Sequence, residues 1–209
     1  MHEQGAEVMV ANRSQMSDGL YMTEEQYLAL DEATDGKYER LNGMVTMLRP
    51  PSSLYGADES ILDLAGGSDA HAALCIRLGA LLSSQLEDAP CLVYSSDRRL
   101  KLPQGNYLFP DLTVACGEET GSLPADPTVI IEILSPTTEK RDRGAKFAVY
   151  KTLPSLMEYI LIGSEVQEII VYRRESNWRP YHYQSSDLVE LTSIGVRFPF
   201  EAVYRRIPI

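Results

Sequence analysis

The sequence predicts an α/β (α+β) fold, a mixed β-sheet flanked by helices, with a helix and a hairpin added on the N-terminal side. Three observations carry this expectation. Apolar residues recur at helical spacing through residues 72–82. Near-continuous apolar runs of strand length stand at residues 129–134 and 159–162. The segments follow the order helix, three strands, helix, strand, which suits one sheet covered by helices. At 209 residues and 44% hydrophobic content the chain can bury a sizeable core. The expected organisation is one domain over residues 21–209, preceded by a polar extension at 1–20 and interrupted by a loop insertion at 53–67.

The first helix starts at Thr23, where Thr-Glu-Glu-Gln forms a capping-box pattern with Gln26, and Gly36 closes the segment. Two strands over residues 38–48 flank Asn42-Gly43, the strongest two-residue hairpin signal. After Pro50-Pro51, the glycines at 56, 66 and 67 mark an irregular loop. Ser68 or Asp69 caps a second helix running to about residue 86. It carries His71 in its first turn and an apolar face that includes Cys75, Leu78 and Leu82. Strands follow at 92–102, 107–116 and 128–134, then a helix at 142–152 stopped before Pro154. Further strands at 159–162 and 168–173 are joined by a turn at Gly163-Ser164.

No stretch approaches the roughly 20 apolar residues needed to cross a bilayer, and no apolar run near Met1 resembles a signal-peptide core. Cys75, Cys91 and Cys116 are an odd set, spaced too widely for a zinc site. Reduced thiols and a cytoplasmic location are the expectation. The net charge of −11 argues against a protein that coats nucleic acid by charge alone. The imbalance lies in residues 1–96, with net charge −10, whereas residues 97–209 carry only −1. A polyanion would meet the second half.

In Val129-Ile130-Ile131-Glu132-Ile133-Leu134 a carboxylate interrupts a strand that reads as covered on both faces. Alternation puts Glu132 beside Ile130 and Leu134. An ionised group there costs several kcal/mol unless it is paired, protonated or metal-bound. Asp111 interrupts the preceding apolar strand in the same way, and the short link between the two strands allows them to be neighbours. Two converging carboxylates repel, and a divalent cation relieves the repulsion. Oxygen ligands suit magnesium, manganese or calcium. The competing reading is that each acid meets an arginine or lysine in a buried pair.

Residues 140–151 hold five basic side chains, the densest positive cluster in the chain. Asp142 and Lys146 share a helix face at i, i+4. They form either a solvated ion pair, worth about 0.3–0.5 kcal/mol, or a group near the metal in which Lys146 orients water or balances charge on phosphate.

Pro110-Asp111, followed 21 residues later by Glu132, resembles the PD-(D/E)xK nuclease pattern. The resemblance sharpens to the Uma-two family of restriction-endonuclease-like proteins through motifs in order. These are Met22-Thr-Glu-Glu-Gln-Tyr-Leu, Lys37-Tyr-Glu-Arg-Leu-Asn-Gly-Met-Val, Pro51-Ser52, His71, Phe109-Pro-Asp-Leu-Thr-Val, Ile131-Glu-Ile-Leu-Ser-Pro-Thr-Thr, Asp142-Arg-Gly-Ala-Lys-Phe, Tyr150 and Glu158-Tyr-Ile-Leu-Ile. The resemblance implies a restriction-endonuclease-like core and a phosphodiesterase site using Mg2+ or Mn2+. Its metal ligands would be Asp111 and Glu132, and Lys146 would match the family's lysine on the helix after the third strand. Glu39 is implied as a third acid, against its reading as a hairpin residue in a surface pair. His71 either lines the cleft or serves as a capping or packing group, and Asp142, if not in the solvated pair, is a further cleft-lining candidate.

Two departures bear on activity. Residue 134 is Leu where the nuclease pattern has the lysine of Glu-x-Lys, so the lysine must come from elsewhere, and Lys146 is the candidate. Residues 53–67 stand where the family is short. The function implied is a metal-dependent nuclease acting on DNA or another nucleic acid, with no membrane partner and with a homo-oligomer (a homodimer) as the expected state. The alternative is a non-catalytic nucleic-acid or protein binding module on the same fold. A glycosidase using two carboxylates would line an open sugar groove rather than adjacent apolar strands. Trp178 and Tyr181-His182-Tyr183 either stack on bases or pack at a sheet edge.

Overall fold

The structure, a computed structural model, describes residues 20–54, 68–117 and 126–209. The predicted extension therefore lies outside the described residues except for Leu20, and the predicted insertion does so from residue 55 onward. Leu20 belongs to strand β1 (Leu20–Tyr21) and pairs with Val45. Helix α1 (Glu24–Ala33) begins with the full capping box: the Gln26 N–H donates to the Thr23 hydroxyl, and the Thr23 N–H donates to Gln26 Oε1 at 2.9 Å. Strands β2 (Lys37–Leu41) and β3 (Met44–Arg49) form the predicted hairpin. Its two turn residues, Asn42 and Gly43, have φ of 52° and 87°, the left-handed pair that lets a two-residue turn follow the strand twist. Helix α2 (Asp69–Gln85) starts at Ser68, whose hydroxyl accepts from the His71 N–H.

Two predicted strands are each broken in two. Residues 92–102 form β4 (Cys91–Ser95) and β5 (Leu100–Leu102), and residues 107–116 form β6 (Asn106–Leu108) and β7 (Leu112–Cys116). The halves belong to different sheets, so the single predicted sheet becomes three among the described residues. Their orders are β1-β3-β2-β6-β5, then β11 (Pro180–Tyr183), β10 (Ile169–Arg173), β9 (Glu158–Gly163), β8 (Pro127–Leu134), β7 and β4, and the pair β12 (Leu188–Leu191) with β13 (Val196–Pro199). The second break has a local cause. Pro110 has no N–H to give a ladder, and the Phe109 N–H donates to the Glu39 carboxylate at 3.0 Å instead of to a strand.

Strand β8 (Pro127–Leu134) lies between β7, antiparallel, and β9 (Glu158–Gly163), parallel. This is the one parallel pairing among the described strands, and the sheet is mixed as predicted. A continuous helical segment, here α3, crosses between β8 and β9. It consists of an α-turn at Glu139–Arg141, a π-helical stretch at Asp142–Lys146 and an α-turn at Phe147–Tyr150. It begins three residues before the predicted helix. Beyond β10 (Ile169–Arg173) come β11 (Pro180–Tyr183), the hairpin β12 (Leu188–Leu191) and β13 (Val196–Pro199), and the short helix α4 (Phe200–Tyr204). No helix among the described residues is long and apolar enough to cross a membrane.

The alternation of β8 sorts the core. Val129, Ile131 and Ile133 pack with Leu74, Leu78 and Leu82 of α2, and with α4 and the β12-β13 hairpin. Ile130 and Leu134 face the opposite layer, with Phe147 and Tyr150 of α3 and with Leu41, Leu100 and Leu108 of the first sheet. Glu132 shares that second face, as period two requires. The cysteines depart from the expected reduced set: Cys91 and Cys116, directly opposed on β4 and β7, are joined by a disulfide, and Cys75 is free. Sequence separation alone conceals this pairing, because strand register creates it.

Candidate active site

Where the chain crosses from the first sheet to the second, the layers part into a cleft of about 540 Å³. Glu39, Asp111, Glu132, Asp142, Lys146 and Arg141 all line it. Each arrives by a different route. β2 is paired with β6, which turns the middle of β2 toward the crossing at Phe109, where Glu39 accepts its backbone N–H. Asp111 stands immediately before β7 and one step beyond the Leu112↔Ile131 pair, so the register sets it opposite Glu132. Asp142 and Lys146 project from α3.

Lys146 is the hub. Its Nζ lies 3.1 Å from Glu132, 3.2 Å from Glu39 and 3.3 Å from Asp142. All four side chains are buried, with exposures of 1% for Glu39, 2% for Glu132 and Asp142, and 6% for Lys146. The Tyr150 hydroxyl donates to Glu132 at 2.9 Å, and Arg141 pairs with the far oxygen of Glu39. Asp111 is held separately. Its Oδ2 accepts the Ile133 N–H at 2.7 Å and lies 3.3 Å from His71 Nε2. His71 Nδ1 in turn lies 3.7 Å from Cys75 Sγ.

Four carboxylates thus face three cationic groups, Lys146, Arg141 and His71, and the balance appears in the proton affinities. Burial pushes Glu132 up to about 8, against the lowering influence of Lys146. Burial also works to lower Lys146, but Glu132 and Asp142 outweigh it and the ammonium is held above its ordinary value. We take Lys146 as charged and the retained proton as residing on Glu132, because three carboxylates surround the one ammonium. The Asp111 carboxylate, aided by Cys75, raises His71 to about 10. Asp142 Oδ1 is buried without a hydrogen bond, although it stands near the ammonium. An acidic surplus with one unbonded carboxylate oxygen, all donors being oxygen, fits a hard divalent cation.

The structure brings together all six residues singled out in the sequence. Several alternative readings do not survive. Glu39 is not a hairpin residue in a surface pair, because β6 and α3 cover it. Asp142 and Lys146 are not a solvated pair, because both are buried. His71 does stand in the first turn of α2, but its ring faces Asp111 and lines the cleft. Trp178 packs edge-on against Phe147, and Tyr181 is exposed on the edge strand β11. Neither lines the cleft.

Sequence reasoning passed over Arg141 and Tyr150 as site residues. Tyr150 carried a usable signal: Asp142, Lys146 and Tyr150 recur every four residues and so share one helix face. Arg141 carried none beyond its place in a basic cluster.

A mixed sheet backed by α2, with a carboxylate and lysine cleft where β7 and β8 meet α3, defines the restriction-endonuclease-like class. The model of the Uma2 family, described as "Putative restriction endonuclease", matches residues 24–200, and the chain belongs to that family. The protein slr1290 of Synechocystis sp. is 31% identical over 190 residues, which cover 88% of this chain and 92% of that protein. From the same organism, sll1609 is 27% identical over 159 residues, 73% of this chain and 81% of its own. A crystal structure of a "putative nuclease" from Anabaena variabilis matches with a TM-score of 0.67 at 17% identity, over 88% of this chain and 97% of that one. That likeness concerns the fold.

Proposed function

We propose that the protein is a metal-dependent nuclease that hydrolyses nucleic-acid phosphodiester bonds in this cleft. The observation that carries the reading is Lys146 Nζ within 3.1–3.3 Å of three buried carboxylates. That arrangement supplies from α3 the lysine that Leu134 does not provide on β8. Asp111 and Glu132 would hold Mg2+ or Mn2+, with Glu39 and Asp142 beside them. Held by these carboxylates, such an ion would supply polarisation of a phosphoryl oxygen and a more acidic bound water.

The chain's own residues do the rest. Ile133 N–H and His71 fix the Asp111 carboxylate, and Tyr150 and Lys146 fix Glu132. Lys146 keeps positive charge next to the place where charge grows on the phosphate. Arg141 and Lys37, on the cleft wall, offer cations to the flanking phosphates of a strand. Both halves of the chain line the cleft, and Lys37, Arg49, Arg141 and Lys146 stand among its acids, so the acidic total does not by itself bar a polyanion from it.

The test is cleavage of single- and double-stranded DNA and RNA by purified protein with Mg2+ or Mn2+. Activity that is lost on chelation, and reduced at least a hundredfold in Asp111→Ala and in Lys146→Met, is the expected result. Cleavage that survives Asp111→Ala would overturn the assignment.

A second reading has its own support. Glu132 already has two partners in Lys146 and Tyr150, so the buried cluster is largely satisfied by protein groups alone. This favours a binding module on the same fold. Binding of nucleic acid without cleavage, under every metal condition, would select it.

A further inference from the structure

We propose that His71, Cys75 and Asp111 form a second cation site, one for a thiophilic divalent metal of the zinc type, at the edge of the carboxylate cleft. The geometry comes first. One ligand atom from each of the three residues lies within 4.8 Å of the others. Asp111 Oδ2 is 3.3 Å from His71 Nε2, and Cys75 Sγ is 3.7 Å from the other ring nitrogen, Nδ1. With metal–ligand bonds of about 2.0–2.3 Å and tetrahedral angles, the ligands of a zinc ion stand roughly 3.5 Å apart. An ion takes one ring nitrogen, so the trio closes on it by a turn of the His71 ring that brings that nitrogen toward both Asp111 and Cys75, whose ligand atoms already lie within 4.8 Å of it and of each other.

The elements hold these positions. His71 and Cys75 are four residues apart on α2, and that spacing places both on one helix face. Asp111 is oriented from the opposite side by the Ile133 N–H at 2.7 Å. All three side chains are half-buried, and His71 and Asp111 open onto the cleft, from which an ion can reach them. Cys91 and Cys116 are bonded to each other, which leaves Cys75 as the available thiol.

The chemistry of the donor set separates this site from the one above. A sulfur, a nitrogen and an oxygen donor suit zinc or cobalt, whereas magnesium takes oxygen ligands. Three protein ligands leave the fourth position to water or a substrate atom. Binding requires the thiolate and the neutral imidazole, so the Cys75 thiol proton and any proton on His71 leave to solvent as the metal enters.

Asp111 belongs to both sites, and so zinc would compete with magnesium for it. This competition, unlike the thiophilic site itself, rests on the nuclease reading.

The experiment is titration of cobalt(II) into the full chain without reductant, followed by displacement with zinc. The expected result is one equivalent of cobalt, with a sulfur-to-cobalt charge-transfer band in the near ultraviolet that zinc abolishes. The band is lost in Cys75→Ser and weakened in His71→Ala, and it persists in Glu132→Gln, with circular dichroism confirming that each variant is folded. Calorimetry on Cys75→Ser reads at least a tenfold weaker zinc affinity. Absence of the band in the wild-type chain, its persistence in Cys75→Ser, or equal zinc affinity in the two proteins would each overturn the proposal. Because the readout is spectroscopic, a chain without nuclease activity still decides the matter, and loss of cleavage in Asp111→Ala leaves the cobalt result to be judged by itself.

Discussion

Lys146 illustrates how much one buried ammonium can hold. Replacing it by Met keeps the volume and leaves Glu39, Glu132 and Asp142 facing one another without the shared cation. Breaking a buried pair by removing one partner costs about 3–5 kcal/mol, so Lys146→Met should lower the unfolding free energy by an amount in that range. The double variant Lys146→Met/Glu132→Gln should recover part of the loss, because it removes a carboxylate that has lost its partner. Urea unfolding of the four proteins in this cycle measures both effects. Additive losses would mean that the two residues do not act on each other. The same neighbourhood sets the pH response. Glu132 is raised from its ordinary 4.5 to about 8, chiefly by burial, and His71 from 6.5 to about 10, chiefly by Asp111. A group whose pKa rises on folding stabilises the folded chain fully below its unfolded pKa and loses that contribution as pH climbs through the folded value. The Glu132 contribution thus runs out between about 4.5 and 8, and that of His71 between 6.5 and 10. The metal-free protein should lose stability steadily from pH 6 to pH 10. Glu132→Gln should flatten the lower part of the profile and His71→Asn the upper part; a flat wild-type profile would count against both assignments.

Helix α2 connects packing to the site at the scale of the element. Leu74, Leu78 and Leu82, fully buried on one stripe, press against β7 and β8, and the same helix carries His71 toward Asp111. Truncation of Leu78 to Ala should destabilise by about 2–5 kcal/mol, the usual range for a buried leucine. The measurement is the thermal or urea midpoint, and a loss below 1 kcal/mol would mean that the neighbouring side chains collapse into the space. The π-helical stretch Asp142–Lys146 is the other element that matters. Wider turns of this kind occur often at functional sites, and here the turn carries both Asp142 and the ammonium into the cleft. Its helical nature could be read from the i, i+4 spacing. Its wider winding could not, because it shows itself only where Lys146 reaches Glu39 and Glu132, contributed by other elements, as well as Asp142 of its own turn.

At the scale of the molecule, two sheets share the site and the chain passes directly from a strand of one to a strand of the other at residues 96–99 and 109–111. The disulfide between Cys91 and Cys116 closes a loop of 25 residues that contains both passages. On the chain-entropy account a closed loop of this length stabilises by about 3 kcal/mol. Reduction should therefore lower the urea midpoint by a corresponding amount while the two cores stay folded at low denaturant. Unfolding with and without reductant, together with a thiol count rising from one to three as the chain's cysteines predict, checks this. An unchanged midpoint after complete reduction would mean that the strand pairing alone holds β4 to β7.

The sequence by itself determined what depends on near neighbours. The capping box at Thr23, the turn at Asn42-Gly43, the apolar stripe of α2 and the two-faced burial of β8 all follow from spacing within one or two turns or from strand alternation. The anomaly of Glu132 in an apolar strand is local too, which is why it was visible beforehand. The tertiary structure alone decided which distant groups meet. Glu39 reaches Lys146 from 107 positions earlier in the chain, and Arg141 closes over the same carboxylate. Cys91 finds Cys116 because β4 and β7 are in register. The breaks in the two predicted strands belong to this second kind as well: a strand continues only while a partner accepts its hydrogen bonds, and at Phe109 the acceptor is a side-chain carboxylate of the neighbouring strand β2 instead of a backbone carbonyl. Alternation and helical period record which way a side chain faces, whereas strand pairing at long separation is fixed only when loop closure, register and packing are satisfied together.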